Sequence, residues 1–193
     1  MTSFLGAAPD GEGPQRLYDE DRAGDGYVMN LTRVWAHEPE LQDDLSALLG
    51  RAAERAALTF RQRGVLVSAC ASTLGDSYCA LAWGTRLAGE VGAEVAAGVL
   101  AGDDTGLDGA DAALAAWARK VAGDPNATTA ADVEALRSVG FDDAQILAVT
   151  VFVALRLAFS TVNDALGAIP DDELVARAPE AVRAAVTFGR GAG

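Results

Sequence analysis

Gly75-Asp76-Ser77-Tyr78-Cys79-Ala80-Leu81-Ala82-Trp83-Gly84 is the stretch whose reading decides the fold. Upstream of it, Thr59-Phe60-Arg61-Gln62 has the spacing of a capping box, in which a threonine and a glutamine satisfy each other's free backbone N–H groups. That box opens a helix through Val65, Leu66, Ala69 and Cys70 that ends near Thr73-Leu74, with Gly75 supplying a left-handed C-terminal residue. Asp76 then has the place of an N-cap, its carboxylate set to accept the backbone N–H of Tyr78 or Cys79, for a helix from Ser77 to about Val91. Cys79 sits in the first turn, where the helix dipole and free N–H groups favour thiolate over thiol. Helical spacing puts Asp76, Cys79, Trp83 and Arg86 on one face.

Outward from this stretch the chain reads as helices. Short ones are expected at Arg16–Ala23 and at Leu31–His37, the latter with Asn30 as N-cap. Pro39 suits the first position of an amphipathic helix to about Ala57, with Leu41, Leu45, Leu48, Leu49, Ala52 and Ala56 at helical spacing. Further helices are expected at 93–100, 110–121 and 130–138. Asp142-Asp143-Ala144-Gln145 is a second capping box and starts the longest helix, to about Leu166. That helix is apolar on nearly every face from Ile146 to Phe159, which marks either a central helix or a subunit interface. A last helix from Asp172 is broken at Pro179. No run alternates as a half-buried strand does, so the fold class is all-α. The domain organisation read from the chain is a loose Gly/Pro-rich arm, residues 1–14, and one helical domain, residues 15–193.

Of the 193 residues, half are hydrophobic and only 6% are aromatic, so the core is built from Ala, Leu and Val, which suits close helix packing. The net charge is −13 and the only lysine is Lys120, a balance that repels nucleic-acid phosphates and anionic membranes. Two cysteines, Cys70 and Cys79, are too few for a disulfide-stapled secreted scaffold. The N-terminus has no apolar core of signal-peptide length, and Ile146–Phe159, interrupted by Arg156, is too short to span a bilayer. These readings give a cytoplasmic protein as the expectation. His37 is the only histidine, no Cys/His metal spacing occurs, and no Gly-rich phosphate loop follows a strand, so neither metal nor cofactor is expected.

The helix–Gly–helix junction resembles the motif of the carboxymuconolactone decarboxylase / alkylhydroperoxidase D superfamily, where Cys-x-x-Cys-x-x-x-His opens the second helix. The segments Gly26-Tyr27-Val28-Met29-Asn30-Leu31-Thr32-Arg33, Ala131–Phe141 and Asn163-Asp164-Ala165-Leu166-Gly167 are similar to its peroxidase-related subgroup. The resemblance covers roughly residues 15–175 and implies an alkylhydroperoxidase D-like helical bundle and a homo-oligomer. In that family the cysteine pair reduces peroxides while a glutamate and the histidine relay the proton. Laid onto this chain, the first cysteine falls on Asp76, the histidine on Trp83 and the relay glutamate on Gly64; only Cys79 is retained. The motif is thus degenerate at Gly64, Asp76 and Trp83.

Two functions remain open. One is a peroxidase-related, antioxidant protein that reduces organic hydroperoxides through Cys79 and depends on an external thiol, since no second motif cysteine can close a disulfide. The other is a non-redox oligomer that binds a small ligand or a partner on the same scaffold, the catalytic site having degenerated. A lactone decarboxylase-like activity has no residue that supports it specifically. The residues also carry plainer readings. Cys70 and Cys79 suit core packing, and a disulfide between them would need their two helices to face each other there. Asp76 suits a cap, and its charge disfavours a thiolate nearby. Trp83 suits the core and cannot relay a proton. Arg86 suits an ion pair with Glu90, and Arg156 should pair with an acid or reach an interface edge.

Overall fold

The computed structural model of the chain describes residues 2–191. Met1 of the expected arm and residues 192–193 of the expected domain lie outside the described residues. Among the described residues the regular elements are all helical. They begin with α1 (Glu12–Gly24), α2 (Asn30–Trp35) and α3 (Pro39–Arg55). Next come α4 (Phe60–Leu74), α5 (Ser77–Val91), α6 (Ala93–Ala101) and α7 (Gly109–Gly123). The chain ends with α8 (Ala130–Ser138), α9 (Asp143–Ala165), α10 (Asp172–Arg177) and α11 (Glu180–Ala185).

The centre of the bundle is α4, every residue of which from Gly64 to Ala71 is buried. Around it pack α5, α6, α7 and α9. The small residues of α4 allow this crowding: a side chain at Gly64 would press on Leu87 of α5 at 3.3 Å. The long apolar helix α9 is therefore not the central one. It lies on the flank with one buried stripe, Ile146, Val149, Phe152, Val153, Arg156, Ser160 and Asn163, at spacings of three and four residues. Its other side leaves Leu147 66% exposed and Val151 at 36%. At 23 residues α9 exceeds the apolar run read from the sequence and is long and apolar enough to cross a membrane. Its polar residues Arg156, Ser160 and Asn163, however, are buried against protein.

The caps are where the sequence puts them at three junctions. Thr59 and Gln62 form the capping box of α4, Asp142 and Gln145 that of α9, and Gly75 ends α4 in the left-handed region with φ 76°. The start of α2 differs. Asn30 is the first helical residue rather than the cap, and its backbone N–H donates to Asp171 Oδ1 at 2.8 Å while its amide donates to the Ile169 carbonyl. A carboxylate distant in sequence thus supplies what a local cap would have supplied. α1 begins at Glu12, earlier than the apolar pattern marks, because its first turn is solvent-facing. The segment before it is tied to the α9–α10 connection: Phe4 N–H donates to the Leu166 carbonyl at 2.8 Å, and Ile169 N–H to that of Thr2 at 3.2 Å.

Candidate functional site

The site forms where the start of α5 meets α9. Gly75 turns the chain, and Asp76 caps α5 by accepting the Cys79 N–H at 2.9 Å. Asp76 is fully buried, and its second oxygen, Oδ2, has no hydrogen-bond partner. The C-terminal segment seals this side. The Ser77 hydroxyl donates to the Arg190 carbonyl at 2.7 Å, and Gly189 lies so close to Gly75 and Ser77 that no side chain would fit. The Asp76 side of the helix start is thus closed off, while Cys79, one turn on, faces a cleft.

Cys79 is 2% exposed, and its Sγ accepts a hydrogen bond from Arg156 Nη2 at 3.2 Å. Burial pushes the Cys79 thiol up to about 12; Arg156 and the Ser160 hydroxyl oppose the rise, and Asp76 adds to it. Desolvation therefore outweighs the helix-start effect that the sequence suggests. Cys70 is also buried, in the core cluster, and burial again pushes its thiol up to about 12. Both cysteines are free.

Arg156 is the residue that sequence reasoning underestimated. It does not pair with an acid. It is 7% exposed, with no carboxylate within ion-pair distance among the described residues. Its guanidinium lies 4.7 Å from the Phe159 ring centroid and 5.7 Å from that of Trp83, so aromatic faces take the place of an acid. The pattern continues outward. Trp83 packs on Phe60, centroids 6.0 Å apart, and Arg63 covers Phe60 at 5.6 Å. On the inner side Phe159 stacks on Trp35 at 5.4 Å. Arg86 lies over Trp83 at 5.4 Å instead of pairing with Glu90, because stacking on a half-buried indole outweighs an exposed ion pair. The sequence signal for this group was Arg156 itself, a charge within an apolar run, with Ser160 one turn later.

These side chains line a cleft in two halves that share Ser46, Leu49, Trp83 and Arg156 as common wall. The inner half, about 330 Å³, has Cys79, Arg86, Phe159, Gln42 and Asp21 on its walls. The outer half, about 250 Å³, has Arg63, Phe152, Gly50 and Ala53. Of the four residues that the sequence resemblance singles out, Cys79 and Trp83 reach the cleft, Asp76 is buried at the start of α5, and Gly64 is used for helix contact. Tyr78 also lines the inner half, with its hydroxyl engaged in donating to Asp171. Among the described residues no group of three or more His, Cys, Asp or Glu side chains is arranged to hold a metal ion.

No protein-family model and no curated protein matches the chain. Solved structures do. An uncharacterized peroxidase-related protein from Ralstonia eutropha JMP134, described as an alkylhydroperoxidase AhpD core, superposes with TM-score 0.72 at 24% identity, over 90% of this chain and 95% of that one. An uncharacterized peroxidase-related protein from Silicibacter sp. TM1040 superposes with TM-score 0.78 at 19% identity, over 90% and 94%. At such identities the likeness is one of architecture: this chain is an all-helical protein with the alkylhydroperoxidase D core fold.

Proposed function

We propose that the chain is a peroxidase-related protein in which Cys79 alone reduces organic hydroperoxides, with an external thiol as reductant. The observation that carries this is the Arg156 guanidinium donating to Cys79 Sγ at 3.2 Å on the wall of a cleft. A cationic donor at sulfur stabilises the thiolate and can hold the distal oxygen of a hydroperoxide against it. The Gln42 amide oxygen, a buried acceptor without a donor on the same inner half, suits a hydroperoxyl or hydroxyl O–H.

The chemistry balances as follows. Cys79 sulfur attacks the distal oxygen, the S–O bond forms, the O–O bond breaks, and the thiol proton ends on the departing alcohol. Cys79 becomes a sulfenic acid. One external thiol displaces water to give a mixed disulfide, and a second releases Cys79 together with the external disulfide. Asp76 stands where a resolving cysteine would, so the Cys-x-x-Cys disulfide cannot form.

A second reading, non-redox binding of a small ligand in the same cleft, is favoured by the burial and the Asp76 charge that keep the thiol protonated. One experiment separates the two. The reduced protein is exposed to stoichiometric cumene hydroperoxide with a sulfenic-acid trap, and adducts are mapped by mass spectrometry. Selective adduct at Cys79, absent in Cys79→Ser, with Cys70 unmodified, is the expected result. Labelling at Cys79 no faster than at Cys70 overturns the peroxidase reading and leaves the binding one.

A further inference from the structure

We propose that the outer half of the cleft is a carboxylate site, and that the chain binds amphipathic monocarboxylates with the head group between Arg63 and Arg156 and the tail along Trp83 toward Cys79. The charge distribution carries this. In a chain of net charge −13, the basic residues Arg16, Arg22, Arg61, Arg119, Lys120 and Arg137 are all in ion pairs. The other nine, all arginines, have no carboxylate within ion-pair distance among the described residues; seven of them, Arg86 included, are exposed to water, and the two that are not, Arg63 and Arg156, both line the outer half of the cleft. Arg156 is more than nine-tenths buried, and its Nε and the buried Nε of Arg63 donate to nothing. Aromatic faces and a thiol cover this guanidinium without neutralising its charge, and an anionic ligand is what would neutralise it.

The position of the head group follows from the acids. Asp21 lines the inner half, where it would repel an anion, whereas no acidic residue lines the outer half. There Arg63 and Arg156 flank Trp83 and Phe152, so charge is offered beside apolar surface. The inner half then receives the tail, against Trp83, Phe159 and Leu49. The combined cleft is in the size range of small-molecule sites. For the reaction at Cys79 this inference rests on the peroxidase reading, the substrates then being carboxylate-bearing hydroperoxides; the binding itself does not depend on it.

The test is calorimetric titration with octanoate and with 1-octanol, probes that share an apolar chain and differ in charge. It uses the native protein and Arg63→Met; Arg63 is only partly buried, so its loss leaves the core intact. Octanoate should bind at least about tenfold more tightly than octanol, and Arg63→Met should remove most of that preference without changing octanol binding. Arg156→Lys, checked for native helicity, should reduce it as well. Equal affinity for the two probes, or an Arg63→Met variant with the native preference, overturns the proposal whatever the outcome of sulfenic-acid trapping.

Discussion

Replacing Asp76 by Asn tests what holds Cys79 in its resting state. After burial and the opposing Arg156, Asp76 is the next influence on the thiol, raising it both by charge and by hydrogen bonding. Asparagine keeps the cap, because its Oδ1 can accept the Cys79 N–H, and the two residues cap helices about equally well. What disappears is one negative charge beside the sulfur. Removing a like charge at this range lowers a pKa by about one to two units. The thiolate fraction at fixed pH then rises roughly 10- to 100-fold, while each thiolate becomes a weaker nucleophile with a Brønsted slope of about 0.4–0.5. The net expectation is a three- to tenfold faster exchange, to order of magnitude, of Cys79 with a neutral dipyridyl disulfide in mildly alkaline buffer. Cys70 is the internal control. Its thiol is raised by burial, with Arg156 and Arg119 opposing, and Asp76 does not figure among the causes. Its rate should stay constant, which removes any general loosening of the fold as an explanation. An Asp76→Asn variant whose Cys79 reacts at the native rate or more slowly would refute the claim that Asp76 suppresses the thiol.

Further expectations concern stability and assembly. Burial raises the Asp164 carboxyl to about 6, with Asp76 adding and Arg190 opposing. The folded state therefore holds this proton more tightly than the unfolded chain. Its contribution is most favourable below the ordinary pKa of 3.8 and declines as pH rises toward 6. Asp164→Asn should abolish that decline and be more stable than the native protein above pH 6, by thermal melts across pH; equal melts at all pH values would contradict it. Tyr78→Phe leaves the buried Asp171 Oδ2 without its donor, so the urea midpoint should fall by the equivalent of about 1–3 kcal/mol with unchanged slope. The homo-oligomer expected from the sequence is proposed to form over the exposed side of α9. There Leu147 and Val151 with Leu48 line an apolar groove that also carries Arg51, Arg55 and Asp142. Leu147→Asp should then shift the mass measured by light scattering toward the monomer without altering Cys79 reactivity. A native protein that is already monomeric at micromolar concentration would refute this.

Local chemistry made much of this protein readable from its sequence. Capping boxes at Thr59–Gln62 and Asp142–Gln145, the glycine turn at Gly75 and the cap at Asp76 depend on residues within three or four positions of one another, so their geometry is written in adjacent letters. The all-helical class and Cys79 at a helix start followed from these. Tertiary structure decided the rest, because it depends on distant partners. Asp171 caps α2 from 141 residues away. The apolar pattern of α9 could not tell a central helix from a flanking one; the small residues of α4 settled that by letting four helices close around it. The reactivity of Cys79 was likewise undecided in sequence. A helix N-terminus lowers a thiol pKa, but how far burial overrides it is set by α9, which brings Arg156 and Ser160 to the sulfur, and by the segment around Gly189, which closes the Asp76 side. The arginine–aromatic cleft is walled by α3, α4, α5 and α9, so only the packing of those helices could reveal it.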